Sequence, residues 1–254
     1  MIGKILASGQ LGRLASFVTP AFFDVMPARA LWNRGRMLLA GTRDREAFRH
    51  AVAARSAELA KLLPEVQLVD SASAKTRSNA ESGNPEARAA RVVELFFHQL
   101  FHGRVMLLDL RGASFTSQDE QHLLWHPAAW MAELSPEFLQ SLREIYRGFY
   151  TRDDAMFRRG LSALSLQGCE DLFREHFGGA HVTFRTADFI ETFHKIFQRC
   201  KEQGVMLHPD FLPLGIYLAA LYDHVEDLAV AVDVAAAFER ATRAALQDSE
   251  ALHA

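Results

Sequence analysis

Phenylalanine sets the period of this chain. Nineteen are present, and Phe189, Phe193 and Phe197 stand four residues apart, while Phe96, Phe97 and Phe101 fall on one helical stripe. Apolar residues three and four apart share a helix face and give an amphipathic helix its core side. The same period runs through Phe48, Val52, Leu59, Leu62 and Leu63. Strand-like segments are confined to Val105–Asp109 and Gln121–Trp125, which the sequence would pair as one small β-hairpin. The expected fold is mainly α.

Breaks in this pattern divide the chain. Residues 1–19 read as a weakly amphipathic helix carrying Ile5, Leu6, Leu11, Leu14, Phe17 and Val18, ended by Pro20. Pro27 opens a helix through Leu39, and Arg45–Leu63 forms another. Residues 70–87 contain no aromatic or large aliphatic side chain. Such a segment buries too little apolar surface to offset an ordering entropy of roughly 1–2 kcal/mol per residue. It is the expected linker between a helical region, 1–69, and a helical domain, 88–254. In the last third, Asp223, His224, Glu226 and Asp227 interrupt an apolar run and predict a pair of helices around them.

Composition removes several functional classes. The net charge of −3 carries no basic excess of the kind that marks a nucleic-acid binder. Two cysteines, Cys169 and Cys200, make neither a disulfide framework nor a four-cysteine zinc site. That usage suits a reducing cytoplasm. No uninterrupted apolar stretch reaches membrane-spanning length. Phosphate-binding glycine loops and a Gly-x-Ser-x-Gly elbow are missing from the sequence.

The stretch from Val93 to Leu164 is the most informative about function. The helix Glu94-Leu95-Phe96-Phe97-His98-Gln99-Leu100-Phe101-His102 meets Gly103, and an apolar segment then ends on Asp109. Farther on come Leu134-Ser135-Pro136-Glu137-Phe138, the helix Leu139–Tyr150, and Arg152-Asp153-Asp154 before the helix Ala155–Leu164. This order, over roughly residues 92–238, resembles the UbiB/AarF family of atypical kinases. The resemblance implies a kinase C-lobe-like helical core. It places Asp109 at the catalytic-loop aspartate, Leu107 and Arg111 at the two histidines, and Ser114 at the asparagine. Leu123-Leu124-Trp125-His126-Pro127 takes the place of the metal-binding Leu-Leu-Asp-Phe-Gly. It also implies lipid- or quinone-linked metabolism and a peripheral membrane contact.

Phosphoryl transfer needs magnesium held by an aspartate and an asparagine, and a lysine on the phosphates. Trp125 cannot ligate magnesium, and Ser114 replaces the amide poorly. Residues 1–90 lack the alternating β-branched runs of a strand-rich lobe that would carry the lysine. Lys75-Thr76-Arg77-Ser78 is the nearest approach to the family's lysine-glycine-glutamine segment. The expected function is that of a catalytically inactive, pseudokinase-like binding protein without a cofactor, leaving Asp109 vestigial. Its partner would be a protein or a hydrophobic small molecule. Asp109, Arg111, Trp125, His126, Trp130 and Met131 are the candidate binding residues, since tryptophan and methionine are enriched at interfaces. The same tryptophans serve equally well to plug the former nucleotide cleft.

Two other readings stay open. Glu94, His98 and His102 share a helix face, and Glu191-x-x-His194 has the spacing of helical di-iron carboxylate proteins. Glu94, His98, Glu191 and His194 would then hold a di-metal centre of an oxidase or oxygenase. Alternatively, the chain is a helical structural subunit with no ligand.

Overall fold

The computed structural model describes residues 20–69, 83–179 and 181–251, with ten α-helices and seven three-residue strands. The fold is mainly α. The expected helix at 1–19 lies outside the described residues, as do residues 70–82 of the expected linker. At the linker's other end, Asn84 caps a helix: its side-chain oxygen accepts from the N–H groups of Glu86 at 2.9 Å and Ala87 at 3.3 Å. Pro85 stands at the first helical position, where its missing N–H costs nothing. Residues 85–87 are therefore the first turn of a helix. Among the described residues no helix is long and apolar enough to cross a membrane.

The chain divides into two compact units, each built from separated segments. The first takes in Leu134–Gly178 and Arg185–Ala219 together with the chain up to Leu39. It contains α1 (Pro20–Val25), most of α2 (Ala28–Gly41), α5 (Pro136–Tyr150), α6 (Asp154–Ala163), α7 (Glu170–Phe177), α8 (Thr186–Glu202) and the start of α9 (Phe211–Asp227). Its core is aromatic. Phe177 meets Tyr146 and Phe149 at ring-centroid distances of 4.9 Å, and Phe22 meets Phe197 at 5.4 Å. Helix α5 begins where it does because buried Asp210 accepts the Ser135 N–H at 2.7 Å while pairing with Arg34.

The second unit comprises Ala40–Glu133, Gly179–Phe184 and Ala220–Ala254. It holds α3 (Arg45–Leu62), β1 (Val66–Leu68), α4 (Pro85–His102), β2 (Val105–Leu107), β3 (Phe115–Ser117), β4 (Leu123–Trp125), β5 (Met131–Glu133), β6 (His181–Thr183), β7 (Ala231–Asp233) and α10 (Val234–Ala251). Helix α4 packs along α10, with Phe97 and Phe101 both edge-on to Phe238.

The strands pair differently from the expected hairpin. Strand β2 runs antiparallel to β5, with Leu107 opposite Met131. Strand β4 lies between β3, antiparallel with Trp125 opposite Phe115, and β1, parallel with Trp125 opposite Leu68. The physical reason is the turn after Asp109. A 3₁₀ turn at Gly112–Ser114 sends the chain straight into β3, so β3 takes the partner expected for β2. Strands of three residues are too short to display a period of two. The expected pair of helices is present, as α9 and α10, but the polar cluster 223–227 does not separate them. Helix α9 runs unbroken to Asp227, with His224 and Val225 buried.

In the first unit α5 and α6 approach closely enough to require glycine. A Cβ on Gly160 would sit 2.7 Å from the Ser141 carbonyl oxygen and 2.8 Å from Ile145 Cγ1. Overpacking a site of this kind costs about 1–3 kcal/mol. Gly160→Val should lower the urea midpoint accordingly while leaving the m-value unchanged.

Candidate functional site

The loop that follows β2 is where the sequence concentrated its candidate residues. Asp109 is 3% exposed. A carboxylate taken out of water must be met by donors on its oxygens. Arg111 supplies a two-pronged contact, Nε to Oδ1 at 2.6 Å and Nη2 to Oδ2 at 2.9 Å. The Ser114 hydroxyl donates to Oδ2 at 2.6 Å and the Ala128 N–H at 2.8 Å. Burial pushes the Asp109 carboxyl up, but the hydrogen bonds from Arg111, Ser114 and Ala128 outweigh it and hold the pKa below the ordinary carboxylate value.

The loop backbone is satisfied just as fully. Buried Gln99, on α4, binds Leu107 through both groups of its amide: it accepts the Leu107 N–H at 2.8 Å and donates to the Leu107 carbonyl at 3.2 Å. The Trp125 indole N–H donates to the Asp109 carbonyl at 2.8 Å. Arg88 Nε donates to His224 Nε2 at 3.0 Å, which makes Nε2 the acceptor and leaves the proton on Nδ1. That Nδ1–H donates to the Leu110 carbonyl at 2.9 Å. A second arm of Arg88 reaches the Gly112 carbonyl at 3.1 Å, and the Ser114 carbonyl accepts from the His126 N–H at 2.7 Å.

The structure thus brings Asp109, Arg111, Ser114 and Trp125 together. Trp125 is fully buried and stacks on Phe115 with planes 9° apart. Its indole occupies the interior and presents no surface. Arg111, His126, Trp130 and Met131 are partly exposed, and Met131 is held in β5. Sequence reasoning missed Gln99, Arg88 and His224 as parts of this site. The place of Gln99 in the helix Glu94–His102, directly before the candidate loop, was the available signal for it. Nothing local pointed to Arg88 and His224, which lie 136 residues apart.

Three residues of the alternative metal set have other partners. Glu94 is buried, but Arg91 holds one of its oxygens at 2.7 Å and Arg240 the other. Glu191 is exposed and bound to Lys195 at 2.8 Å, and His194 contacts Gln198 at 2.9 Å. Glu94 and His98 belong to the second unit, Glu191 and His194 to the first. Among the described residues no group of three or more His, Cys, Asp or Glu side chains could hold a metal ion.

An open cleft of about 440 Å³ lies in the second unit, lined by Ala60, Pro64, Val66 and Leu68 on its apolar side and by Asp119 and His122 among its polar groups. His122 donates its Nδ1–H to Asp119, 2.8 Å away, and the same carboxylate accepts the backbone N–H groups of Gln121 and His122.

Two buried histidines give this unit a pH dependence. Burial, with Arg88 adding to it, lowers His224 to about 3. Burial, with His102 and Arg55 adding to it, lowers His98 to about 3 as well. Neither ring nitrogen of His98 has a hydrogen-bond partner among the described residues. Both rings are neutral at pH 7, whereas in the unfolded chain they titrate near 6.5. Below 6.5 the unfolded chain binds protons that the folded one refuses. The stability that depends on neutral rings is full above 6.5 and is lost as the pH falls toward 3. The urea midpoint should decline between pH 6.5 and roughly 5, before most carboxylates titrate. His98→Leu should flatten that decline and raise stability at pH 7 by about 1 kcal/mol.

Comparison with models of known protein families finds no match, and comparison with curated proteins finds none either.

Proposed function

We propose that this chain is a pseudokinase-like binding protein, a relative of the UbiB/AarF kinases that retains the phosphoryl-transfer loop as a structural hub without its chemistry. One observation carries the reading. Asp109, Ser114 and Trp125 stand at the positions that the resemblance assigns to the catalytic aspartate, the asparagine and the metal-binding aspartate. They converge in three dimensions, as such positions must around magnesium and phosphate. Here they bind one another: Ser114 Oγ is 2.6 Å from the Asp109 carboxylate, and the Trp125 indole nitrogen is 2.8 Å from the Asp109 carbonyl oxygen.

These residues do not fit a magnesium ion. Both Asp109 oxygens are occupied by donors, with Arg111 bridging them. A guanidinium stands where a cation would have to approach, and an indole stands where a carboxylate ligand is needed.

The activity is binding. The partner is a protein or a hydrophobic small molecule in lipid- or quinone-linked metabolism. The cleft beside β1 offers an apolar wall formed by Ala60, Pro64, Val66 and Leu68 for such a ligand.

Thermal unfolding with and without millimolar Mg-ATP tests the reading. A nucleotide present at a hundred times its Kd would stabilise the fold by about 2.7 kcal/mol. The expected result is no magnesium-dependent rise in Tm. A clear rise would show a working nucleotide site and overturn the proposal.

A further inference from the structure

We infer that the open edge of β1 is a docking site for an extended peptide segment of a partner protein, which adds to the sheet as a strand beside β1. Strand β1 is the outer strand of the sheet β1-β4-β3. It is bonded to β4 on one side, where the Leu123 N–H donates to the Glu65 carbonyl at 2.8 Å and the Val69 N–H to the Trp125 carbonyl at 2.9 Å. Successive residues of a strand turn their backbone groups to opposite edges. Glu65, Gln67 and Val69 therefore face β4, while Val66 and Leu68 turn theirs to the outer edge.

One of those outward groups is used locally. The Val66 N–H donates to the Leu63 carbonyl at 3.0 Å, where the chain leaves α3. Among the described residues nothing bonds the Leu68 N–H or the carbonyls of Val66 and Leu68. Yet Val66 is 1% exposed and Leu68 7%. Backbone groups set this close to an interior call for partners.

The room for a partner is present. The cleft of about 440 Å³ takes all three residues of β1 into its lining, together with Ala60 and Pro64, which are exposed. Its chemistry selects the occupant. An N–H and carbonyls spaced along a strand edge are matched by the backbone of another strand, the mode by which peptides add to open sheets. A hydrocarbon cannot meet them.

Charge narrows the segment further. Asp119 brings a carboxylate to the lining, and no lysine or arginine stands there among the described residues. The segment is therefore free of acidic residues, with small apolar or hydroxyl side chains and a basic residue at one end. Docking here presupposes that the chain acts by binding, and it makes the partner a protein.

Amide NMR of the isotope-labelled full chain, titrated with the capped peptide acetyl-Thr-Val-Thr-Val-Lys-amide to millimolar concentration, tests the docking site. The Leu68 amide should shift downfield, and its hydrogen exchange should slow by about tenfold or more at saturation. Methylating the two valine nitrogens of the peptide and methylating the threonine nitrogen between them should differ in effect. One change should weaken binding about three- to tenfold and the other leave it unaltered, since only alternate N–H groups of an added strand face its neighbour. Ala60→Trp, at an exposed position of α3, should fill the cleft and abolish binding. A Leu68 amide already protected in the free chain would mean that the chain covers this edge itself, and overturns the inference. So does the absence of a Leu68 shift, or equal losses from the two methylated peptides. The wild-type titrations decide the question even where Ala60→Trp fails to fold. None of these outcomes involves Mg-ATP, so loss of the docking site leaves the pseudokinase reading to its own thermal test.

Discussion

A carboxylate cannot be buried alone, and the second unit is arranged around that constraint at Asp109. Donors from three residues, Arg111, Ser114 and Ala128, meet its oxygens. Each of them fixes another part of the chain. Arg111 and Ser114 set the 3₁₀ turn that leads into β3, and the Ala128 N–H ties down the loop between β4 and β5. With the turn fixed, β3 pairs with β4, and β2 is left to pair with β5. The sheet arrangement follows from one ion and its neighbours.

The backbone of the loop is under the same constraint. The carbonyls of Leu107, Asp109, Leu110, Gly112 and Ser114 all have named donors, most of them side chains from distant elements. Buried backbone groups must be paired, and a loop running through the interior cannot use a regular ladder to do it. Gln99, Trp125, His224 and Arg88 act as substitutes. This explains why two charged or titratable residues, Arg88 and His224, are tolerated among apolar neighbours. It also explains why the polar cluster at 223–227 lies within a continuous helix.

The helices were legible in the sequence because their stripes are long and aromatic: Phe189, Phe193 and Phe197 each fall inside α8 and are buried. The strands were not, because three residues carry no usable period and their pairing depends on a turn built by Asp109. The local half of the site was also legible. Asp109, Arg111 and Ser114 lie within six residues of each other, and their convergence follows from a short turn. Arg88 and His224 were invisible, since each is an ordinary polar residue on a helix until the fold brings them together. Glu94 is the opposite case. Its spacing to His98 suggested a ligand set, whereas its buried carboxylate is neutralised by Arg91 and Arg240.

Asp109 holds its own loop together. A double-mutant cycle of Asp109→Asn and Arg111→Met, read by urea unfolding, measures this directly. Removing one partner of a buried pair costs about 3–5 kcal/mol, because the other charge is left uncompensated. The two losses should therefore fail to add, with a coupling energy of about 1–3 kcal/mol. Losses that add to within about 0.5 kcal/mol would mean that the pair is energetically idle, and that the aspartate is kept for some other purpose.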